Sequence, residues 1–330
     1  LLTTGILALS TQAAEYNSNW AHALDRPWVG QDCWANRLQD WQVSDGQLKC
    51  INGSARFPMR TVHLTTYRIE GNILGDFEAQ VTVDLPSKKN NDAAGGLLIG
   101  AGAGLDYRAA SLIHSNGGKG AGIFAAIRGN GELFIHDRES GKDLAVIKAG
   151  PFNGSLRLDL KASEQAGGVY KLSLNLLQNG KVIKTVSCKI PKSRLAGNVA
   201  LVSHSGKERK KASQFSFSQW RCAGDMLKAF PQRNSGPILS NQYTLSRKVL
   251  KMTAQMLPVS PLDNQQVKLQ IQQDGSWKTV ATTEIDSYGY TARFRVANWD
   301  DTKDTAYRVA YELKSKTASK EYFLTGTIRR

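Results

Sequence analysis

Two acidic residues in the segment FIHDRES, Asp137 and Glu139, have a spacing that could serve acid–base chemistry. If the segment stays extended, the two carboxylates lie on one face of a strand, as a glycosidase would require. The segment runs into a turn at Gly141, however, and the pattern Glu-x-Asp-x-x-Glu is absent. The Gly-x-Ser-x-Gly and His-Glu-x-x-His motifs are also absent. We therefore interpret this pair as part of a solvated turn and assign no catalytic residue.

Basic and histidine side chains mark three strand-like segments, YRAASLIH, AGIFAAIRG and FIHDR. If these are neighbouring antiparallel strands, residues at even separation share one face, because successive side chains of a strand point to opposite faces. Together they would line a shallow basic groove suited to a carboxylated, sulfated or phosphorylated glycan. The alternative is that these charges end strands at the rim of a sheet. The candidate ligand-binding residues are Arg108, His114, Arg128, His136 and Arg138.

The remaining chemistry-bearing residues predict neither a metal site nor a phosphate-binding loop. No pair of cysteines has the short spacing of a zinc site, and no histidine stands at ligand spacing beside one. The GAGAG run is followed by no predicted helix and no acidic partner, so it does not fit a dinucleotide fingerprint. We expect no cofactor or metal in this segment. The histidines are scattered: His22, His63, His114, His136 and His204.

Short alternating segments separated by Gly, Asn, Asp and Lys fill most of residues 41–222. The run GDFEAQVTVDL alternates apolar and polar residues, and Asn179-Gly180 is a hairpin turn signal. Because no convincing helical pattern intervenes, these strands predict an all-β, two-sheet jelly roll. Small residues in the middle segments, such as Ala125 and Ala126, predict a curved sheet with a shallow concave face.

A second set of strands begins near Leu250, after a segment that mixes Gly, Pro, Asn and Ser. Asp274-Gly275 marks a hairpin, and a run of about 90 residues has the dimensions of an immunoglobulin or fibronectin type III sandwich. We interpret this module as a spacer or presenter. The predicted divisions are a signal-peptide remnant (1–13), an N-terminal lead-in (14–27), a jelly roll (28–223), a linker (224–240) and an immunoglobulin-like sandwich (241–330).

The charge balance is strongly basic, since 43 Lys and Arg against 28 Asp and Glu give a formal net charge of +15. Such a charge favours an anionic partner. We expect an acidic polysaccharide or a cell-surface glycan rather than nucleic acid, because the basic residues form no long arm. No segment approaches the roughly 20 consecutive apolar residues of a spanning helix, so no membrane span is expected.

The first thirteen residues, LLTTGILALSTQA, are uncharged, mostly apolar and end in small residues. They predict a signal-peptide remnant cleaved after Ala13, and therefore a secreted or periplasmic protein. An oxidising compartment would favour two disulfides among the four cysteines, with three connectivities open. The disulfide candidates are Cys33, Cys50, Cys188 and Cys222.

The segments CWANRLQDWQVSDGQLKC and RFPMRTVHLTTYRIEG resemble the laminin-G or concanavalin-like N-terminal region of secreted alkaline phosphatase D type metallophosphatase proteins. The segments VANWDDTKDTAYRVAYEL and YFLTGTIRR are similar to the sandwich that precedes the phosphatase domain in that family. The resemblance is general along residues 28–330 and concerns the scaffold. It implies a concanavalin-like jelly roll followed by an immunoglobulin-like module.

The same resemblance implies a downstream phosphatase domain in cis, which would hold divalent metals and hydrolyse phosphoesters. None of that domain's ligand motifs occurs in these 330 residues, so no catalytic residue is carried over. The chain is accordingly expected to be truncated before that domain. Whether the full-length protein is an enzyme stays open at this point.

Three functions remain in competition. The first is a non-catalytic N-terminal targeting or glycan-binding region of a secreted metallophosphatase-like hydrolase. The second is a free-standing carbohydrate-binding protein, for which the same sandwich and charge would be enough. The third is a concanavalin-like glycoside hydrolase or lyase, which needs two carboxylates about 5–10 Å apart in a concave site.

Overall fold

The structure is a computed structural model that describes residues 14–86, 90–207 and 214–330. Residues 1–13, which include the predicted signal-peptide remnant, lie outside the described part. Within it the fold is all-β, as the sequence predicts, and two sandwiches follow one another along the chain.

The first sandwich contains strands β1 to β17, with a short helix α1 at Tyr107–Ala110. Alternation of apolar and polar residues explains these strands; in β7, for example, every second side chain from Phe77 to Val83 is buried. The strands are β1 Glu15–Asn17, β2 Cys33–Ala35, β3 Trp41–Ser44, β4 Gln47–Cys50, β5 Met59–Leu64, β6 Tyr67–Ile69, β7 Phe77–Leu85, β8 Ala94–Ala101, β9 Ile123–Arg128, β10 Glu132–Asp137, β11 Lys142–Lys148, β12 Gly154–Gln165, β13 Val169–Gln178, β14 Lys181–Pro191, β15 Asn198–His204, β16 Ser216–Ala223 and β17 Leu227–Ala229.

These strands form two large antiparallel sheets packed face to face. The front sheet has the order β11-β10-β9-β8-β15-β5-β2. The back sheet has the order β14-β13-β12-β7-β16-β4-β3, with β1 paired to β16, and β17 pairs β6 in a small separate ribbon. The inner faces of both large sheets supply one continuous hydrophobic core, which includes Trp41, Phe217 and Trp220. Non-consecutive neighbours in both sheets make this a jelly roll.

The second sandwich consists of a three-stranded sheet, β18-β19-β22, and a four-stranded sheet, β21-β20-β23-β24. Its separate core is built around Tyr307, Val309 and Tyr311 of β23. Asp274 and Gly275 close the predicted hairpin with φ of 51° and 75°, the left-handed values that a type I′ turn requires. The strands are β18 Ile238–Ser246, β19 Val249–Met256, β20 Gln266–Gln273, β21 Ser276–Glu284, β22 Thr291–Val296, β23 Thr305–Lys314 and β24 Ser319–Ile328.

The two sandwiches meet through the segment that precedes β2. The Arg26 guanidinium lies 3.3 Å from the Asp263 carboxylate, and both side chains are almost fully buried. Arg26 also donates a 2.8 Å hydrogen bond to the carbonyl of Lys314, and the Trp28 amide donates to the Pro258 carbonyl at 3.2 Å. The lead-in thus carries β1 of the back sheet and most of the polar contacts between the sandwiches.

The cysteines do not form the two predicted disulfides, because all four thiols are free. Cys33 and Cys222 are buried in the first core, and burial raises the pKa of both thiols far above their usual range. Cys188 lies half-buried on β14, the edge strand of the back sheet, and burial raises its pKa to about 11. Cys50 is buried and directs its Sγ to the carbonyl of Asn52 at 3.6 Å. These thiols are therefore protonated packing groups at neutral pH.

Candidate functional site

The outer face of the front sheet has a floor of small side chains, as predicted for a concave face. Ala94, Ala126 and Ala200 lie at its centre, with the rings of Phe124 and Phe134 beside them. The two rings meet edge-to-face with centroids 5.3 Å apart. This face is apolar and its central side chains are short, so a chain segment or a ligand can lie against it.

A long connection between β8 and β9, residues 102–122, crosses this face and contains α1. We call it the crossing loop. Side chains of the sheet donate hydrogen bonds to its carbonyls: Asn36 to Ser111 at 2.5 Å, and Asn198 to Tyr107 at 3.2 Å. The His63 ring contacts the Ile113 carbonyl through Nε2 at 2.7 Å. The loop is therefore fixed to the sheet by hydrogen bonds to its backbone.

Arg138 supplies another set of anchors. Its guanidinium donates to the carbonyls of Ala121 at 3.1 Å, His114 at 2.7 Å and Asn116 at 2.9 Å. The residue is buried, and burial lowers its pKa to about 10. Arg68 similarly holds the start of the loop through the carbonyls of Gly102 and Leu105. Arg138 was predicted to bind ligand, but in the structure its donors serve the loop.

A depression of about 400 Å³ lies beside the crossing loop. It is lined by Arg37 and Phe57 on one side, and by the backbone and side chains from Leu112 to Gly117 and by Lys119 on the other. Its volume is within the range of small-ligand sites. No carboxylate is among the described residues that line it, so its only charged side chains among them, Arg37 and Lys119, are basic.

The cations at this depression are unusual because no described protein group pairs with them. Phe57 is 42% exposed, and the guanidinium carbons of Arg37 and Arg56 lie 5.4 Å and 5.2 Å from its ring centroid. Among the described residues, Arg37, Arg56 and Lys119 make no side-chain hydrogen bond or ion pair. Arg37 also adopts φ of 56°, a left-handed conformation that a residue of its size seldom holds. The exposed ring and the cations beside it make no contribution to the core.

A second depression of about 480 Å³ adjoins the first and shares Lys119 with it. Leu105 is exposed at its edge, and the paired side chains of Glu139 and Arg194 also line it. The glycines that form much of its wall are Gly100, Gly104, Gly120 and Gly122. At Gly120 a Cβ would find its nearest neighbour 3.9 Å away, so a ligand can come close to this part of the backbone. The two depressions form one groove, which we call the loop groove.

The structure distributes the predicted ligand-binding residues over different places. Arg108 lies in α1 and not in a strand; the segment YRAASLIH was predicted to be extended, and that prediction is wrong. The side chain of Asp106 accepts a hydrogen bond from the Arg108 amide, which caps the short helix, and it also pairs with the Arg108 guanidinium at 2.9 Å. His114 lies on the crossing loop at the first depression, where its ring contacts the Leu112 carbonyl.

Arg128 and His136 do share the outer face of the front sheet. Arg128 pairs with Glu132 at 2.9 Å and Asp143 at 2.8 Å, and its guanidinium carbon lies 4.0 Å above the Phe134 ring. His136 Nδ1 lies 2.8 Å from Asp143. Because carboxylates of β10 and β11 already satisfy these groups, they have little capacity left for an anionic ligand.

The two acidic residues that were considered for acid–base chemistry come together around one arginine. Asp137 binds Nη2 of Arg194, and Glu139 binds Nη1 of the same guanidinium. One guanidinium therefore pairs with both carboxylates, which leaves neither of them free for the acid–base role that glycoside hydrolysis requires.

The residues that sequence analysis missed lie in two irregular segments. Arg37 precedes a 3₁₀ turn at Leu38–Asp40, and Arg56 with Phe57 follows β4 in a stretch without regular structure. An aromatic residue next to Arg and Pro in such a connecting stretch was a usable signal, because functional residues concentrate on loops. Lys119 offered no such signal, since a lysine among glycines is an ordinary loop residue.

Two buried histidines give this face a pH dependence. Burial lowers the pKa of His63 to about 4 and that of His204 to about 4. His63 contacts the crossing loop through Nε2 while its buried Nδ1 has no partner, and His204 Nδ1 accepts from the Gly206 amide at 3.2 Å. Both rings are thus neutral in the folded protein at neutral pH.

We expect the free energy of unfolding to fall as the pH drops from about 6.5 to about 4. In that range His63 and His204 take up protons in the unfolded chain, whereas both rings stay neutral in the folded chain. Their contribution to the free energy of unfolding is therefore fully present above about pH 6.5 and is lost toward pH 4. Each unit of pKa difference contributes about 1.4 kcal/mol. Urea unfolding at several pH values would measure it. His63→Gln with His204→Gln should flatten the profile, whereas the exposed control His22→Gln should leave it unchanged.

No group of three or more His, Cys, Asp or Glu side chains that could hold a metal occurs among the described residues. Over the same part of the chain, no helix is both long and apolar enough to cross a membrane.

Comparison with known proteins gives structural neighbours only. No protein-family model and no curated protein matches the sequence. The chain is similar to winged bean acidic lectin complexed with methyl-α-D-galactose, with 9% identity, a TM-score of 0.46, and coverage of 66% of this chain and 100% of the lectin. It is similar to arcelin-5, a lectin-like defence protein from Phaseolus vulgaris, with 10% identity, a TM-score of 0.43, and coverage of 64% and 98%. The carbohydrate recognition domain of Emp46p gives 11% identity, a TM-score of 0.42, and coverage of 59% and 88%. The strand order of the first sandwich is itself that of a jelly roll, as the sequence predicts.

Proposed function

We propose that this protein binds an acidic glycan in the loop groove. The observation that carries the proposal is the exposed Phe57 ring, which Arg37 and Arg56 flank, at a depression that Arg37 and Lys119 line without a carboxylate. None of these three cations has an ion-pair partner among the described residues. Guanidinium groups bind carboxylate and sulfate through paired hydrogen bonds. An exposed aromatic ring stacks against the apolar face of a sugar.

The size of the groove favours an oligosaccharide over a single sugar. The two depressions share Lys119, so one chain can occupy both with its acidic group near that ammonium. The exposed apolar side chains of Leu112 and Leu105 lie at the first and second depressions, where ring faces can pack. The net charge of +15 adds long-range attraction for an acidic polymer.

The role of this chain in a longer protein, and its cellular location, are proposed from the sequence alone. Placement of this chain before a metallophosphatase domain, and its secretion or export to the periplasm, follow from the resemblance and from residues 1–13. Binding of an acidic glycan is compatible with a targeting role in such a protein and with a free-standing binder. A glycoside hydrolase is disfavoured because Arg194 neutralises Asp137 and Glu139.

Calorimetric titration of the chain with a short oligouronate, a sulfated oligosaccharide and a neutral oligosaccharide would test the proposal. We expect binding of an acidic ligand that weakens about tenfold for Arg37→Gln and for Phe57→Ala. The matched controls are Arg157→Gln, on the outer face of the back sheet, and Tyr288→Ala, an exposed ring in the second sandwich. Equal losses in variants and controls, or preference for the neutral sugar, would refute it.

A further inference from the structure

The exposed face of the four-stranded sheet in the second sandwich holds an arginine between two aromatic rings. The guanidinium carbon of Arg308 lies 4.7 Å from the Trp277 ring centroid and 4.0 Å from that of Phe323. Its Nε donates a 2.6 Å hydrogen bond to Gln270. Phe323 is 43% exposed, so these groups lie at the surface and not in the core. We call Trp277, Arg308, Phe323 and Gln270 the arginine platform.

The guanidinium of the platform is oriented but has unused donors. Stacking and the bond to Gln270 fix its plane, while Nη1 and Nη2 have no hydrogen-bond or ion-pair partner among the described residues. The side chain has therefore already lost most of its rotamer freedom. Binding an anion then costs less side-chain conformational entropy. The planar guanidinium can offer two parallel N–H groups, which match the two oxygens of a carboxylate or a sulfate.

The residues around Arg308 favour such an anion. Its cross-strand neighbours are Gln270 on β20 and Thr325 on β24, both neutral. The carboxylates of β23 and β24, Glu312 and Glu321, face each other four residues beyond Arg308 along β23. A ligand at Arg308 consequently meets hydroxyl and amide groups that can bond to sugar hydroxyls, with a ring on each side.

We propose that the arginine platform is a second anion site, which binds a carboxylate or sulfate of an acidic polysaccharide. The flat sheet face with its Gln and Thr side chains and two rings fits a saccharide chain better than an acidic peptide, which would pair with a sheet edge. The platform lies on a different sandwich from the loop groove. A polymer that reaches both sites would bind more tightly than a short oligomer through effective concentration.

The experiment uses the whole chain in a background where Arg37→Gln and Phe57→Ala have weakened the loop groove. In that background we expect a short oligouronate to retain binding that Arg308→Gln weakens about tenfold. The charge-matched control is Arg295→Gln on β22, an exposed arginine of the same sandwich with no ion pair. Arg308→Lys keeps the charge but loses the paired donors, so it should also weaken binding. Thermal melting of each variant identifies any that fails to fold.

Titration followed by NMR separates binding from a purely structural role of the platform. The indole N–H signal of Trp277, assigned by its loss in Trp277→Phe, should shift with the oligouronate and not with a neutral sugar. Equal losses for the Arg308 and Arg295 variants, or an unmoved indole signal, would overturn the second site even if the loop groove binds. Binding of short poly-aspartate as tightly as the oligouronate would overturn the polysaccharide assignment. If the groove variants have no effect while Arg308→Gln does, the proposed function of the groove fails and the platform stands.

Discussion

Replacing Asp40 by alanine should lower the free energy of unfolding by about 3–5 kcal/mol, the largest loss that we expect from removing one charge. Asp40 binds the Nε of Arg60, and both side chains are at most 2% exposed. It also accepts a 2.9 Å hydrogen bond from Asn52. Without the carboxylate, the Arg60 guanidinium stays buried with no counter-ion. Urea unfolding monitored by tryptophan fluorescence would measure the change.

The matched control is an ion pair of the same type at the surface. Asp45 pairs with Lys49, but the Asp45 side chain is 75% exposed. Asp45→Asn removes the charge and keeps a residue type that tolerates the φ of 53° at this position, so it should leave the free energy of unfolding nearly unchanged. If both variants lost the same amount, the Asp40–Arg60 pair would not be a buried interaction in solution.

Trp220→Ala should cost about 3–5 kcal/mol of unfolding free energy through the cavity that it leaves. Trp220 is fully buried where β16 meets β1, and its ring packs edge-on against Tyr16 at 5.3 Å and stacks with Trp20 at 6.2 Å. The three rings close the first sandwich where β1 pairs with β16. Denaturant unfolding would measure the change.

A graded series tests whether packing is the cause. Trp220→Phe keeps one ring and most of the apolar volume, so it should lose clearly less stability than Trp220→Ala. Equal losses for the two variants would contradict the cavity argument.

Local patterns in the sequence specified most of the fold. Alternation in β7 and β23 predicted strands with one buried face, and both are strands of that kind. Asn179-Gly180 and Asp274-Gly275 predicted tight hairpins because the first residue of each pair tolerates a positive φ and glycine adopts it freely. Such signals depend on neighbouring residues, so they can be recognised without knowing the tertiary structure.

The site was less predictable because it depends on contacts between distant segments. Arg128 and Arg138 carry the charges that a groove would need, yet Asp143 and the loop carbonyls already occupy their donors. Arg37 and Lys119 lie far apart in sequence, and only the path of the crossing loop brings them to one depression. The disulfide prediction was wrong for a related reason: it used the compartment and the number of cysteines, whereas bridging depends on which side chains face each other.

The anchoring of the crossing loop has a consequence for how binding preference can evolve. Asn36, His63, Asn198 and Arg138 hold the loop through its carbonyl oxygens, which every amino acid provides. These anchors fix the path of the loop together with its own helix cap at Asp106. Substitutions at exposed positions that make none of these contacts, such as Leu112 and Lys119, can alter the ligand while the backbone keeps its course. The groups that hold the loop are therefore separate from the side chains that would meet a ligand.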